Sequence, residues 1–141
     1  MNHPQPKATF FQVKDNAIKI GTICKLVQEA MKKEKKIIIH VPNEEAAKYI
    51  DALLWKTPEE SFLPHVIANK PTKEWVVITE TGLNLNEAPL LLNLRPSSPS
   101  IDKFEEIYEF YEIAHPEKVK IAENKMKEYE AKQIAVNMQP D

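Results

Sequence analysis

Residues 37–41, Ile-Ile-Ile-His-Val, decide how the rest of the chain is read. Four of these five side chains are apolar and β-branched, and none alternates with a solvent-facing polar residue. Such a run predicts a strand buried on both faces, as at the centre of a parallel sheet. Pro42 stops it. Asn43 is placed to cap a helix, with Glu44 and Glu45 in the favourable first turn. That helix is predicted to reach about Trp55, with Ala46, Ala47, Ile50, Leu53 and Leu54 inward.

Working toward the N-terminus, residues 20–33 set Ile20, Ile23, Cys24, Val27, Ala30 and Met31 on one helical face. Lys32, Lys33, Lys35 and Lys36 crowd its C-terminal end, where positive charge suits the macrodipole. They read as a solvated helix end. Residues 8–13 (ATFFQV) are aromatic and short, hence a strand. Strand, helix, strand, helix implies right-handed crossovers and a parallel sheet covered on both faces.

Toward the C-terminus, Thr57-Pro58-Glu59-Glu60 carries the signals of a second helix start, good for about one turn before Pro64. Short strands are predicted at 66–68, 75–79 and 88–94. Residues 95–100 (RPSSPS) form a loop, with Ser100 capping an amphipathic helix over 101–113 whose apolar face holds Ile101, Phe104, Ile107, Tyr108 and Tyr111. Glu105, Glu106, Glu109 and Glu112 become its solvated side. A last helix runs from Glu117 to about Ile134 on a narrow stripe of Val119, Ala122, Met126 and Tyr129, which makes it the least tightly held element. The expected architecture is a single α/β domain over residues 8–137. It is a three-layer Rossmann-like fold with a mainly parallel central sheet and helices on both faces, between a loose arm (1–7) and a loose C-terminus (138–141).

Composition removes whole classes of chemistry. The 141 residues include two glycines, Gly21 and Gly82, against the roughly ten that an average 7% predicts. Glycine lets backbone N–H groups wrap phosphate closely, so a GxGxxG turn and a Walker A loop are both excluded. One cysteine, Cys24, excludes an intrachain disulfide and a CxxC zinc site. The four histidines show no metal-ligand spacing, so no metal or cofactor is expected. A net charge of −2 and a single arginine, Arg95, argue against direct nucleic-acid binding. No apolar run approaches the roughly 20 residues of a membrane span. The N-terminus MNHPQPK has no stretch resembling a signal peptide, which with the lone thiol points to the cytoplasm.

No catalytic constellation emerges. Ser61 and His65 are four apart, but Pro64 lies between them, no glycine elbow presents the serine, and no oxyanion hole is evident. Cys24 reads as an inert core residue and His40 as a structural histidine at a strand end. Trp55 and Phe62 are two large aromatics at chain corners. They either complete the core or line a groove. Beside lysines of the last helix (Lys118, Lys120, Lys125, Lys127) they would make an apolar pocket with a basic rim, suited to a short peptide ending in an apolar residue and a carboxylate.

Residues 51–65 (DALLWKTPEESFLPH) closely resemble the signature of the chi-subunit family of bacterial DNA polymerase III, in which an Asp-x-x-Leu-Trp helix end precedes a Ser-Phe-x-Pro-His turn. Residues 90–96 (LLLNLRP) resemble the family's apolar strand running into Asn-Leu-Arg-Pro. The following FEEIYEFYE and the initial ATFF match in position, so the resemblance covers about residues 8–130. It implies a non-catalytic accessory subunit on a Rossmann-like domain without nucleotide binding. It implies two partners: the psi subunit, which attaches chi to the clamp loader, and the acidic C-terminal tail of the single-stranded-DNA-binding protein. Some members partner a repair helicase in place of psi. The resemblance assigns tail contact to Trp55 and Phe62, to Val66 or Ile67, and to basic residues of the last helix. There the chain departs from the family's Arg-x-Arg-aromatic run, having Glu123-Asn124-Lys125-Met126, so Lys125 carries over with Lys118, Lys120 or Lys127 as substitutes. The alternative function is a small Rossmann-like enzyme using His40 or His65.

Overall fold

The computed structural model describes residues 6–56, 64–100 and 104–140. Its strands are β1 (Lys7–Val13), β2 (Ile37–His40), β3 (Val66–Ile67), β4 (Val76–Thr79), β5 (Leu90–Asn93), β6 (Glu106–Glu112) and β7 (Ala135–Gln139). They form one sheet in the order β3-β4-β2-β5-β6-β1-β7, parallel at every pairing. Its helices are α1 (Asn16–Lys32), α2 (Glu44–Lys56) and α3 (Pro116–Ala131). The expected three-layer α/β Rossmann-like fold is the observed one.

The isoleucine run lies near the middle of the sheet. Ile37, Ile38 and Ile39 are fully buried, with β4 on one side and β5 on the other. Alternate side chains feed two cores. Ile37 and Ile39 join Val76, Ile78, Leu90 and Leu92 beneath α1 and α2. Ile38 joins Phe10, Val77, Leu91 and Ile107 on the opposite face, under α3 and the chain segment holding Leu85 and Ala88. Asn43 caps α2 as expected, its Oδ1 accepting the Ala46 N–H at 2.8 Å. Helix α1 starts earlier than the apolar stripe suggests, because Asp15 caps it by accepting the Ile18 N–H at 2.9 Å.

The scarcity of glycine shows at the helix ends. The residue just past a helix C-cap commonly adopts positive φ, a place glycine fills without cost. Here Glu34 (φ 55°) follows α1 and Gln133 (φ 63°) follows α3. Each turn is closed by backbone bonds, Lys35 N–H to the Ala30 carbonyl and Ile134 N–H to the Tyr129 carbonyl.

The main correction concerns residues 101–113. There is no helix over 104–113: Glu106–Glu112 is β6, an interior strand paired with β5 and β1. The one-in-three-or-four spacing of Phe104, Ile107, Tyr108 and Tyr111 fits either period over so short a run. β-Branched and aromatic residues there favour a strand. The glutamates divide accordingly, and Glu109 is buried rather than solvated. A second correction is β7, for which no strand was expected. The sheet takes in Lys7 at one end and Met138 and Gln139 at the other, all expected in loose termini. The expected one-turn helix after Thr57, with Ser61 and Phe62, and the cap region at 101–103 lie outside the described residues.

Candidate functional site

Two places answer to the sequence-predicted site, and they lie apart. The first is the sheet edge at β3. Helix α2 ends there, and Trp55 on its last turn is 53% exposed, an unusual position for the largest apolar side chain. Its ring rests on that of His65, with centroids 4.6 Å apart. His65 is buried, and its Nε2 lies 3.1 Å from both the carbonyl and a carboxylate oxygen of Asp51. Both are acceptors, so Nε2 carries the proton. Asp51, His65 and Trp55 thus form a linked trio, with the two rings tilted at 52°, joining α2 to the start of β3. Beyond it Ile67 is 47% exposed and Val66 half-buried. Phe62 lies outside the described residues.

The second place is under and beside α3. Glu109 sits mid-sheet on β6, opposite Phe10 of β1, with Asn93 at the end of β5 within hydrogen-bond reach. A buried carboxyl without partners is costly, and three donors answer it. Lys125 Nζ donates at 2.8 Å, Asn93 Nδ2 at 2.9 Å and the Tyr129 hydroxyl at 2.5 Å. Lys125 also donates to the Arg95 carbonyl at 2.6 Å. Burial pushes the Glu109 carboxyl above its ordinary range, opposed by the Lys125 ammonium and by the bonds from Lys125, Tyr129 and Asn93. Burial, then the adjacent Glu109 charge, pushes the Tyr129 hydroxyl up as well. Lys125 is therefore a buried structural lysine that ties α3 to β6, not a free cation on the helix surface.

From sequence, Trp55 and the α3 lysines were expected in one pocket. The fold does not unite them. Trp55 belongs to α2, on the same face as α1, whereas α3 covers the other face. In the sheet, β3 and β6 are four positions apart, roughly 19 Å at the usual strand spacing. Lys118, Lys120 and Lys127 are exposed on α3. Lys118 reaches Glu112 at 3.4 Å, which Lys19 of α1 also pairs at 3.3 Å.

Between the starts of α1 and α3, at the carboxyl ends of β5 and β6, a cleft of about 230 Å³ opens. Lys118 and Lys125 line it, together with Lys19, Arg95, Phe110 and Ile121. Nothing in the local sequence marks Lys19, Glu109 or Tyr129 as members of a polar cluster. The signal available was the β-branched and aromatic content of 106–112, set aside by the helical reading of that segment.

The two histidines considered for catalysis are both buried, and neither lines this cleft. His40 Nε2 donates to the Leu83 carbonyl at 3.0 Å. Burial lowers its pKa, the Leu83 bond opposes this, and the Arg95 charge adds to the lowering. Cys24 is buried in the α1 core, and burial pushes its thiol up. Among the described residues no group of three or more His, Cys, Asp or Glu side chains is placed to hold a metal ion. No helix there is long and apolar enough to cross a membrane.

Comparison with known proteins adds two findings. A family model described as DNA polymerase III chi subunit, HolC, matches residues 6–137. A protein of Pseudomonas aeruginosa, named DNA polymerase III subunit chi, is 25% identical to this chain over 85 residues. That alignment covers 60% of each of the two chains, so the chain matches less than two thirds of the relative's length.

Proposed function

The chain belongs to the DNA polymerase III chi subunit family, and from that premise we propose that it is a non-catalytic adaptor of the replication machinery. It joins the clamp loader, through the psi subunit, to the acidic C-terminal tail of single-stranded-DNA-binding protein, in the cytoplasm and without specific nucleic-acid contacts of its own. A repair helicase is an alternative partner to psi. The observation that carries the tail contact is the exposure of Trp55 on a rigid seat. His65, held by Asp51, supports the ring, and Ile67 on β3, two residues after His65, is also exposed. Rigid aromatics give large contact area at small entropic cost, the usual make-up of an interface hot spot.

In this reading the apolar end of the tail covers Trp55, Val66 and Ile67, and Phe62, which lies outside the described residues, is the further contact that the resemblance assigns. Burying one such side chain contributes about 2 kcal/mol. Lys56, exposed and next to Trp55, is the nearest cation in sequence. Lys118, Lys120 and Lys127 are exposed on α3, which packs on the other face of the sheet from α2, so they assist capture mainly at low salt. Lys125 takes no direct part, being engaged with Glu109.

The test is a fluorescence titration of the intact chain with the tail peptide, following the tryptophans. Affinity in the micromolar range is expected, roughly −8 kcal/mol. Trp55→Ala is expected to weaken it at least about tenfold. Equal affinity in the wild type and in Trp55→Ala overturns the assignment.

A further inference from the structure

The two edges of the sheet are built differently. At one, β3 is only two residues long, and Asn69, Lys70 and Pro71 follow it closely. A short strand, a lysine and a proline are usual guards against pairing with another chain. The opposite edge, β7, has none of them. Its five residues, AVNMQ, carry no charge, no proline and no glycine. Its register with β1 runs unbroken from Lys7↔Ala135 to Phe11↔Gln139, so no bulge turns it away from a partner. β7 ends the strand order, and no described strand lies on its outer side. All of its residues but Val136 are exposed. The outward half of its peptide groups is therefore open to extend the sheet.

The sequence of β7 is complementary to itself. Val136 packs toward the core under α3, and Met138, two residues on and 39% exposed, lies on the same face. Ala135, Asn137 and Gln139 take the other face, where Gln139 borders a groove with Phe11 and Leu26. An antiparallel copy centred on Asn137 sets Val136 opposite Met138 twice, and Asn137 opposite Asn137. Apolar meets apolar, amide meets amide, and no like charges oppose each other. This register engages all five residues of both copies. It holds whichever alternate residues turn their peptide groups outward, because 136 meets 138 and 135 meets 139, each pair sharing one direction.

We propose that β7 pairs antiparallel with β7 of a second copy of this chain, about a two-fold axis at Asn137. The two sheets become one. Both β3 edges, each with its Trp55, stay open at the far ends. The pair thus presents the tail-binding patch twice; that consequence rests on the assignment of Trp55, and the pairing itself does not. Five residues span roughly 17 Å, a contact smaller than permanent interfaces need, so the association is weak and reversible.

The experiment is sedimentation velocity on the full chain from about 10 to about 500 µM, where mass action reveals weak pairing. The mean mass is expected to rise toward that of two chains, with amide shifts at 135–139 in the ¹⁵N-labelled protein. Asn137→Lys and Asn137→Asp, on an exposed side chain, each set like charges face to face. Each is expected to weaken association at least about tenfold. Mixing the two variants sets opposite charges across the axis and is expected to restore pairing, which a loss through misfolding would not allow. Should either variant fail to fold, Met138→Lys, which sets a charge opposite Val136, carries the same expected loss. A mass constant over the whole range, shifts confined to other residues, undiminished association in a folded variant, or no recovery on mixing the folded Asn137 variants each overturn the proposal.

Discussion

Trp55 and Glu109 each break the rule that apolar groups go inside and charged groups outside, and they break it in opposite directions. Trp55 lies exposed at a sheet edge. Glu109 lies buried mid-sheet, with three side-chain donors drawn from β5 and α3. The misplaced apolar group has exposed surface to offer a partner. The misplaced charge has its demands met inside the fold. The first is therefore read as recognition, and the second as what anchors α3 to the sheet. Lys125 shows how far the distinction matters, since from sequence it belonged with Trp55 and in the fold it belongs with Glu109.

The largest test of this contrast is Lys125→Met. Leaving the Glu109 carboxyl buried without its cation should cost about 3–5 kcal/mol of stability in urea unfolding. Combining it with Glu109→Gln should recover most of the loss, since a buried ion pair replaced by a neutral pair is often near neutral. A loss under about 1 kcal/mol in the single variant would place the network at the margin of the fold rather than at its centre.

On the other side of the comparison, Trp55→Ala should cost the fold about 1 kcal/mol, the worth of its ring contact with His65. Its larger effect falls on the peptide. Comparable losses of stability at Trp55 and at Lys125 would erase the contrast. A similar increment is available at Glu34. Exchanging this positive-φ residue for glycine should raise stability by about 1 kcal/mol, reduced somewhat by the freer unfolded chain.

The smallest effect is that of pH on His40, a buried group at the end of β2. Its native pKa is lowered from 6.5, by burial first and Arg95 second. The unfolded chain therefore binds the proton more readily, and stability falls as pH drops below about 6.5 toward the lower native value. Urea midpoints from pH 7 to 5 should decline, and His40→Gln should flatten that decline. A slope unchanged by the substitution would assign it to other groups.

Much of the fold was legible because its centre is locally unambiguous. IIIHV has no polar alternation, Asn43 is a plain cap, and the strand–helix alternation leads to a parallel sheet. What was not legible is the stretch whose local pattern fits two periods. In 106–112 the spacing of Ile107, Tyr108 and Tyr111 satisfies a helix as well as a strand, and only the gap between β5 and β1 decides it. That ambiguity hid the buried state of Glu109, and with it the reason Lys125 points inward. The site was half legible for a similar reason. Trp55 stands out locally, whereas the basic cleft is assembled from α1, the β5 loop and α3, segments far apart in sequence. β7 escaped because its AVNMQ has neither strong alternation nor a buried face, with only Val136 half-buried.

The most direct measurement of the adaptor claim is purification of the tagged full chain from its native cells at moderate salt, with quantitative mass spectrometry of the eluate. An adaptor should bring psi and clamp-loader subunits in near-equal amounts with the bait, and single-stranded-DNA-binding protein that is lost selectively in Trp55→Ala. Recovery of the chain without any polymerase III subunit would contradict the claim.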